Sequence, residues 1–164
     1  MPSENRIVIR SFRISDAEDV VRVHWEAVHK TAAKDYPQEI LNDWSRPLGP
    51  ERTQSFIERR NERDIIIIAE IGNEIVGFGT LLRDKNQVGA IYVCPKAGRK
   101  GVGGKLLAEL EQVARMKGIK ELSVESSLNA EAFYESHGYI REARGEHTLR
   151  SGRKMACVKM RHVL

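Results

Sequence analysis

A glycine-rich, basic loop is the segment of this sequence whose residue types and spacing most clearly point to chemistry. It spans residues 95–105 and lies between a predicted strand and a long predicted amphipathic helix. Glycine lets a ligand approach the backbone closely, and the unpaired N–H groups of a first helical turn, with the helix dipole, form a site for an anion. The basic residues around the loop are Lys96, Arg99, Lys100 and Lys105. The loop therefore predicts a polyphosphate ligand, and the alternative is a helix start with a solvated basic surface.

Three phosphate-binding motifs can be compared with this loop. Gly98 and Gly103 have the glycine spacing of a P-loop, but no Ser or Thr follows to hold magnesium. Gly101 and Gly103 begin a dinucleotide fingerprint, but Leu106 stands where that motif needs its third glycine. The loop that holds the pyrophosphate of coenzyme A has Arg or Gln first, Gly fourth and Gly or Ala sixth. Residues 98–103 fit it except at the first position, which is Gly98.

A second motif lies downstream, over residues 127–139. It has the form Asn-x-x-Ala-x-x-Phe-Tyr-x-x-x-Gly-Phe, and it departs from that form only at Ser127 and Tyr139. The strand before the glycine-rich loop has a Val-x-Pro ending, Val93-Cys94-Pro95. With these motifs in this order, the sequence resembles the GNAT superfamily of N-acetyltransferases over about residues 6–160.

The resemblance implies that acetyl-CoA is the cosubstrate and assigns residues to its parts. The pyrophosphate would lie on the loop, held by Gly98, Arg99, Lys100, Gly101, Val102, Gly103, Gly104 and Lys105. Arg99 is a candidate to replace the charge that the family places one position earlier. The pantetheine arm would pair with the backbone of Ile91, Tyr92 and Val93, in a cleft where this strand separates from the next parallel one. Asn129 would lie near the arm, or would cap its own helix.

Tyr134 is the catalytic residue that the resemblance implies. Near the thioester sulfur it could donate a proton to the departing thiolate, whose ordinary pKa is about 8.5. The alternative is a core aromatic beside Phe133. The base that deprotonates the amine is not evident, because the strand over residues 87–93 lacks the glutamate that many relatives carry there. A water relay and four side chains are the candidates: Glu26, His29, Glu125 and His147.

The acceptor site is expected at the first helices and the segment over residues 31–50, where such enzymes form one wall of that site. The candidate lining residues are Trp25, His29, Tyr36 and Trp44, although aromatic residues also serve as core. The resemblance does not indicate which amine is acetylated.

Hydrophobic periodicity and turn signals predict the elements that must position these residues. The predicted strands are 7–9, 65–71, 75–82, 88–94, 121–126 and a final hairpin with Gly152 at its turn and 155–160 as its second arm. The predicted helices are 17–30, opened by a capping box at Ser15–Glu18, then 37–44, 50–61, 101–117 and 129–137. The expected fold is α/β: a GNAT-like mixed, mainly antiparallel sheet with one parallel βαβ crossover and helices on both faces.

Composition bounds the class of protein. The 164 residues predict a single domain over 1–164, and 41% hydrophobic with 30% charged residues is ordinary globular composition. No apolar run is long enough to span a membrane or form a signal peptide, so a cytoplasmic location is expected. The net charge is +4, but aromatic residues are only 6% and no basic stripe includes them, so nucleic-acid binding is not expected. Cys94 and Cys157 are expected as buried thiols, and no metal motif is present.

The sequence thus predicts an acyl-CoA-dependent N-acetyltransferase that moves acetyl to a primary amine by direct attack in a ternary complex. The alternative is a non-catalytic CoA-binding or regulatory module of the same fold. A homodimer is an expectation at the level of the family.

Overall fold

A seven-stranded mixed sheet is the centre of the computed structural model, which describes residues 5–164. The strands are β1 (Ile7–Ser11), β2 (Ile65–Ile71), β3 (Glu74–Leu82), β4 (Gln87–Val93), β5 (Glu121–Ser127), β6 (Ile140–Thr148) and β7 (Lys154–Val163). The helices are α1 (Ala17–Glu26), α2 (Gln38–Trp44), α3 (Pro50–Arg59), α4 (Val102–Met116) and α5 (Glu131–Ser136). The strand order is β1-β2-β3-β4-β5-β7-β6, and only β4 and β5 pair in parallel. The predicted fold class is confirmed.

Helices cover both faces of the sheet because side chains alternate along each strand. In β2, Ile67 and Ala69 belong to the core under α4, whereas Ile68 belongs to the core under α1. The leucines of α4 at 106, 107 and 110 are fully buried in the first core. The same alternation in β4 sends Ile91 toward α4 and Tyr92 toward α1.

The parallel crossover β4–α4–β5 leaves a gap in the sheet. Only Gln87 and Val88 of β4 pair with β5, opposite Ser123 and Val124. A bulge follows at Gly89, where the register between β3 and β4 shifts. A Cβ at Gly89 would lie 2.5 Å from Oγ1 of Thr80, so the bulge needs glycine. Beyond the bulge β4 and β5 separate, and on that side the backbone of β4 pairs with no strand among residues 5–164.

The first helix differs from its prediction at both ends. The capping box predicted at Ser15 is wrong. A 3₁₀ turn over Ile14–Asp16 precedes α1, so Ser15 lies inside that turn and is not the cap of α1. The carboxylate of Asp16 instead accepts the backbone N–H of Arg13 at 2.7 Å. At the other end α1 stops at Glu26, and a wider π turn over Ala27–Thr31 replaces the predicted last turn. Such turns are frequent at functional sites.

Among the described residues, no helix combines the length and apolar character needed to cross a bilayer.

Candidate active site

The start of α4 is an uncapped set of backbone donors. Gly101 is the N-cap, with φ of +83°, a left-handed conformation that glycine adopts without strain. The first backbone bond of the helix runs from the N–H of Lys105 to the carbonyl of Gly101, at 3.1 Å. No side chain of the described residues caps the helix, so the N–H groups of residues 102–104 remain available to an anion.

Two glycines of the first turn of α4 let α5 pack close to it. A Cβ at Gly103 would lie 3.1 Å from Cε2 of Phe133, and one at Gly104 would lie 3.1 Å from Nε2 of His137. Gly103 also lines the cavity described next. Glycine at this position therefore has a packing role and leaves space beside the helix start.

The gap between β4 and β5 opens into a cavity of about 480 Å³, here called the outer cleft. It brings together Ile91, Tyr92 and Val93 of β4 with Gly98, Arg99 and Gly103 of the loop and Asn129 after β5. These are seven of the residues that the sequence assigned to the cosubstrate. The others do not line this cavity: Lys100, Gly101, Gly104 and Lys105 lie around the helix start, and Val102 is buried in the core.

The basic surround of the loop is smaller than predicted. Lys96 forms an ion pair with Glu74, so its charge is compensated within the protein. Arg99, Lys100 and Lys105 are exposed and have no carboxylate partner among residues 5–164. Arg99 has φ of +60°, which is uncommon for a residue with a side chain.

A smaller cavity of about 140 Å³, the inner cleft, continues from the outer one along β4. Ile91, Tyr92 and Trp44 line both cavities. Tyr134 lines the inner cleft, as do Glu125 and His147. The continuous cleft therefore connects the start of α4 with the predicted catalytic tyrosine.

Tyr134 is buried, with 4% of its surface exposed, and its phenol has no hydrogen-bond partner among residues 5–164. Its ring packs edge-on against Phe133 and Tyr139, with centroid distances of 5.1 and 5.4 Å. Burial, with a smaller effect of Tyr92, raises the pKa of Tyr134 well above its ordinary value. The phenol is therefore protonated at neutral pH and has an unused O–H to donate.

Asn129 is exposed in a 3₁₀ turn over Leu128–Ala130 and makes no capping hydrogen bond. The alternative that it caps its own helix is therefore not what the structure shows. Its side chain lines the outer cleft instead.

Of the four residues considered for the acceptor site, only Trp44 lines the cleft. Its indole N–H donates to the phenol oxygen of Tyr92 at 3.1 Å. Tyr36 is buried, donates to the carbonyl of Ala156 at 2.6 Å and accepts the N–H of Leu128 at 2.8 Å, which joins three segments of the chain. Trp25 stacks on His29, and the ring of His29 bonds to the carbonyl of Ser45. These three residues organise the segment around α1 and α2 rather than line the cleft.

Two of the four candidate bases line the inner cleft, and the other two line neither cavity. Oε2 of Glu125 lies 2.7 Å from Nδ1 of His147, and both side chains line the inner cleft. Glu26 pairs with Arg22 and does not line either cavity. The Glu125–His147 pair is thus the candidate base whose position matches the predicted reaction site.

His24 is a residue beside the cleft that the sequence did not indicate. Its ring packs on Tyr92 at a centroid distance of 4.6 Å, and Nδ1 lies 2.8 Å from Oγ of Ser45. Burial, then the charge of Arg52 and the neighbouring His29, lower the pKa of His24 to about 3. His24 is therefore neutral near pH 7. Its partners come from distant segments, so no local sequence signal marks it.

The two thiols are buried and free, as predicted. Burial raises the pKa of Cys94 and of Cys157, which keeps both thiols protonated and unreactive. No group of three His, Cys, Asp or Glu side chains that could hold a metal ion occurs within the described part of the chain.

Comparison with known proteins assigns the class. The family model described as an acetyltransferase (GNAT) domain matches residues 32–163. A spermidine N(1)-acetyltransferase from Thermoplasma acidophilum is 29% identical over 120 residues, which are 70% of this chain and 74% of that protein. The chain belongs to the GNAT acetyltransferase family, and its enzyme class is N-acetyltransferase.

Solved structures show the same fold. A GCN5-related N-acetyltransferase from Rhodopseudomonas palustris matches with a TM-score of 0.86 and 25% identity, over 96% of this chain and 95% of that one. The PaiA N-acetyltransferase of Thermoplasma acidophilum, solved in complex with coenzyme A, matches with a TM-score of 0.76 and 24% identity, over 97% and 99%.

Proposed function

We propose that this enzyme moves acetyl from acetyl-CoA directly to the amine of an acceptor while both substrates are bound. The observation that carries the proposal is the continuous cleft from the uncapped start of α4, along the unpaired side of β4, to Tyr134. A polyphosphate, an extended amide-containing arm and a thioester occur in this order in acetyl-CoA. The start of α4, the unpaired side of β4 and Tyr134 follow one another in the same order along the cleft.

Each part of the cleft has a binding role in this proposal. The N–H groups of residues 102–104 would hold the pyrophosphate, with Arg99, Lys100 and Lys105 adding positive charge. The unpaired backbone of Ile91–Val93 would hydrogen-bond the amides of the pantetheine arm as a missing strand would. Glycine at position 103 lets the start of α4 lie close to Phe133 and adds no side chain to the cleft that would hold the arm. Asn129, at the outer rim, is a further polar contact.

The chemistry requires two proton movements. The acceptor nitrogen forms an amide bond to the acetyl carbon as the C–S bond breaks, so one proton leaves nitrogen and one reaches sulfur. Tyr134 would donate to the sulfur, because its O–H is protonated and unused. The Glu125–His147 pair would take the proton from nitrogen, directly or through water. A covalent cysteine intermediate is not part of this proposal, because both thiols are buried and protonated.

The decisive experiment measures thiol release from acetyl-CoA with and without a panel of amines. We expect amine-dependent release and an acetylated product. Tight binding of acetyl-CoA with no thiol release on any amine would instead support a non-catalytic CoA-binding module. Product analysis by mass spectrometry separates acetyl transfer to the amine from simple hydrolysis of the thioester.

A further inference from the structure

Five arginines gather in a cavity beside the inner cleft. The cavity, here called the arginine pocket, has a volume of about 260 Å³. Its arginines come from the loop after α2, from α3 and its end, and from the turn between β6 and β7: Arg46, Arg52, Arg59, Arg60 and Arg150. Trp44, Phe56 and Asp43 complete its walls.

The arginine pocket holds one carboxylate, that of Asp43, against five guanidinium groups. No carboxylate of residues 5–164 lies within 4.0 Å of any of the five guanidinium groups. The acidic lining residue, Asp43, already pairs with Arg153 at 3.0 Å and accepts the hydroxyl of Ser151. Two of the arginines bond to neutral groups: Arg52 contacts Nδ1 of His24 at 3.2 Å and Arg60 donates to the carbonyl of Ile57.

This arrangement is electrostatically unfavourable in the free protein. Burial, followed by the charges of Arg150 and Arg46, lowers the pKa of Arg52. Partial desolvation, followed by the charges of Arg59 and Arg46, lowers the pKa of the exposed Arg150. Arginine stays charged in proteins, so a bound anion would relieve the mutual repulsion of these guanidinium groups. Guanidinium groups are also the donors best suited to planar or tetrahedral oxyanions.

The arginine pocket adjoins the proposed transfer site. Trp44 lines the arginine pocket and both clefts. A small hollow lined by Arg52, Phe56, His24 and Tyr92 connects the same region to β4. A molecule whose amine reaches the inner cleft could therefore place another part of itself among the arginines.

We propose that the arginine pocket binds an anionic group of the acceptor, so that the amine acetylated by this enzyme belongs to a small molecule that also carries a carboxylate or a phosphorus oxyanion. The proposal rests on the acetyl transfer proposed above and specifies the substrate class of that site. A polyamine, which is the acceptor in the name of the Thermoplasma relative, would place several positive charges against five arginines. The charge of the pocket disfavours that class.

The first experiment measures anion binding without catalysis. Coenzyme A is added at saturation to occupy the start of α4, and inorganic phosphate or succinate is then titrated by calorimetry. We expect both anions to bind, and the double variant Arg59→Gln/Arg150→Gln to weaken binding at least about tenfold, because each lost charge-assisted bond is worth roughly that factor. Both residues are exposed, so the variant should fold. Arg52→Gln, at a half-buried arginine, is a second variant of the same pocket.

The matched control is Arg115→Gln, which removes the same charge from an exposed residue of α4 that pairs with Glu111 and lies outside the pocket. It should leave anion affinity unchanged. Equal affinity in the wild type, the control and the pocket variants would overturn the proposal, as would no binding of either anion.

The second experiment compares four amines of similar length for acetyl transfer: butylamine, putrescine, 4-aminobutyrate and 3-aminopropylphosphonate. We expect kcat/KM for one or both anionic amines to exceed that for butylamine at least about tenfold, with putrescine poorest. The advantage should fall in Arg59→Gln/Arg150→Gln and persist in Arg115→Gln. Comparison of 4-aminobutyrate with 3-aminopropylphosphonate shows whether a carboxylate or a phosphonate fits better.

If putrescine or butylamine were the best acceptor, the proposed role of the arginine pocket would be contradicted, while acetyl transfer itself would be supported. Anion binding that depends on the arginines, with no thiol release on any amine, would keep the pocket as an anion site and reject its role in acetyl transfer.

Discussion

The phenol of Tyr134 differs from most buried tyrosine hydroxyls, because it lines a cavity and bonds to no group among the described residues. A tyrosine that served only the core would satisfy its O–H within the protein. Tyr139, 5.4 Å away by ring centroids, does so by donating to Glu111 at 3.3 Å. The two tyrosines therefore differ in environment: the hydroxyl of Tyr139 is bonded within the protein, whereas that of Tyr134 faces the inner cleft.

Tyr134→Phe is expected to slow the chemical step and leave stability nearly unchanged. Loss of a general acid typically lowers the rate by about 10²–10⁴-fold. The ring packing remains and no protein hydrogen bond is lost, so the melting temperature and the affinity for acetyl-CoA should stay close to wild type. Single-turnover thiol release and calorimetry on the same variant measure these effects.

Tyr139→Phe is the matched control for this prediction, because its hydroxyl bonds to Glu111 outside the cleft. It should lower stability by about 1 kcal/mol and leave the chemical step unchanged. A Tyr134→Phe enzyme with wild-type rates would contradict the general-acid role, and rescue of the slow variant by a thioester with a better leaving thiol would support it.

Gly103→Asp is expected to abolish binding of CoA and acetyl-CoA while the protein still folds. The new carboxylate would occupy the space at the helix start and repel the pyrophosphate. The Cβ would press on the ring of Phe133 at 3.1 Å, which needs a shift of only a few tenths of an ångström. Calorimetric titration, with circular dichroism to monitor folding, tests the result.

Ala108→Asp places the same charge on an exposed position further along α4 and serves as the control. Its affinity for CoA should stay near that of the wild type. If Gly103→Asp and Ala108→Asp bind CoA equally well, the start of α4 is only a helix terminus.

At the scale of elements, the entry into α1 depends on Asp16 rather than on a hydroxyl cap. Its carboxylate accepts from the backbone of Arg13 and forms a two-bond ion pair with Arg10, which also contacts Glu70. Asp16 is buried, so β1, α1 and β2 are joined through these charges. The local sequence pattern favoured Ser15 as the cap, because such a pattern does not reveal the contact between Asp16 and Arg10 of β1.

Asp16→Asn is expected to lower the free energy of unfolding by about 1.5–3 kcal/mol at pH 7, since it removes charge-assisted bonds to a half-buried arginine. Bonding to Arg10, then to the backbone of Arg13, holds the pKa of Asp16 below its ordinary value of 3.8. The contribution is therefore complete above about pH 5 and is lost as pH falls through the folded-state pKa. The wild type and Asp16→Asn should differ at pH 7 and converge toward pH 2 in urea unfolding.

Asp35→Asn changes an exposed aspartate with no ion pair among the described residues and should have little effect at any pH. A difference between wild type and Asp16→Asn that does not shrink in acid would show that Asp16 acts through packing rather than charge.

At the scale of the whole molecule, positive charge is concentrated at two places next to the cleft. One is the start of α4 with its three uncompensated basic side chains, and the other is the arginine pocket. The net charge of the chain is only +4, so these places are balanced by acidic residues elsewhere. This distribution fits the proposal that the cosubstrate binds at the start of α4 and an anionic acceptor binds at the arginine pocket.

Acetyl-CoA is expected to stabilise the whole protein. At a hundredfold excess over the dissociation constant, a ligand that binds only the folded state adds about 2.7 kcal/mol to the free energy of unfolding. For a chain of this size the melting temperature should rise by roughly 5–11 °C. Gly103→Asp should show no shift and provides the control. No shift of the wild-type protein at millimolar acetyl-CoA or CoA would contradict the assignment of the cosubstrate.

Features that depend on local chemistry could be predicted from the sequence. The strands and hairpins follow from alternating apolar residues and from turns such as Gly72-Asn73, where both residues have positive φ and match a two-residue hairpin. The glycine-rich loop and the Phe133-Tyr134 motif identified the family, because the residues that build them are close in the chain. The predicted homodimer and cytoplasmic location stay predictions.

The tertiary structure alone decided which of these residues meet. The gap between β4 and β5 arises from a bulge at Gly89 against Thr80, a contact between strands that no local pattern encodes. The arginine pocket joins Arg46, the α3 arginines and Arg150 across a large separation in sequence. Tyr36 was placed by hydrogen bonds to Leu128 and Ala156 rather than by its aromatic type. Local propensity selects helices and strands, whereas burial and long-range pairing decide which side chains face a common space.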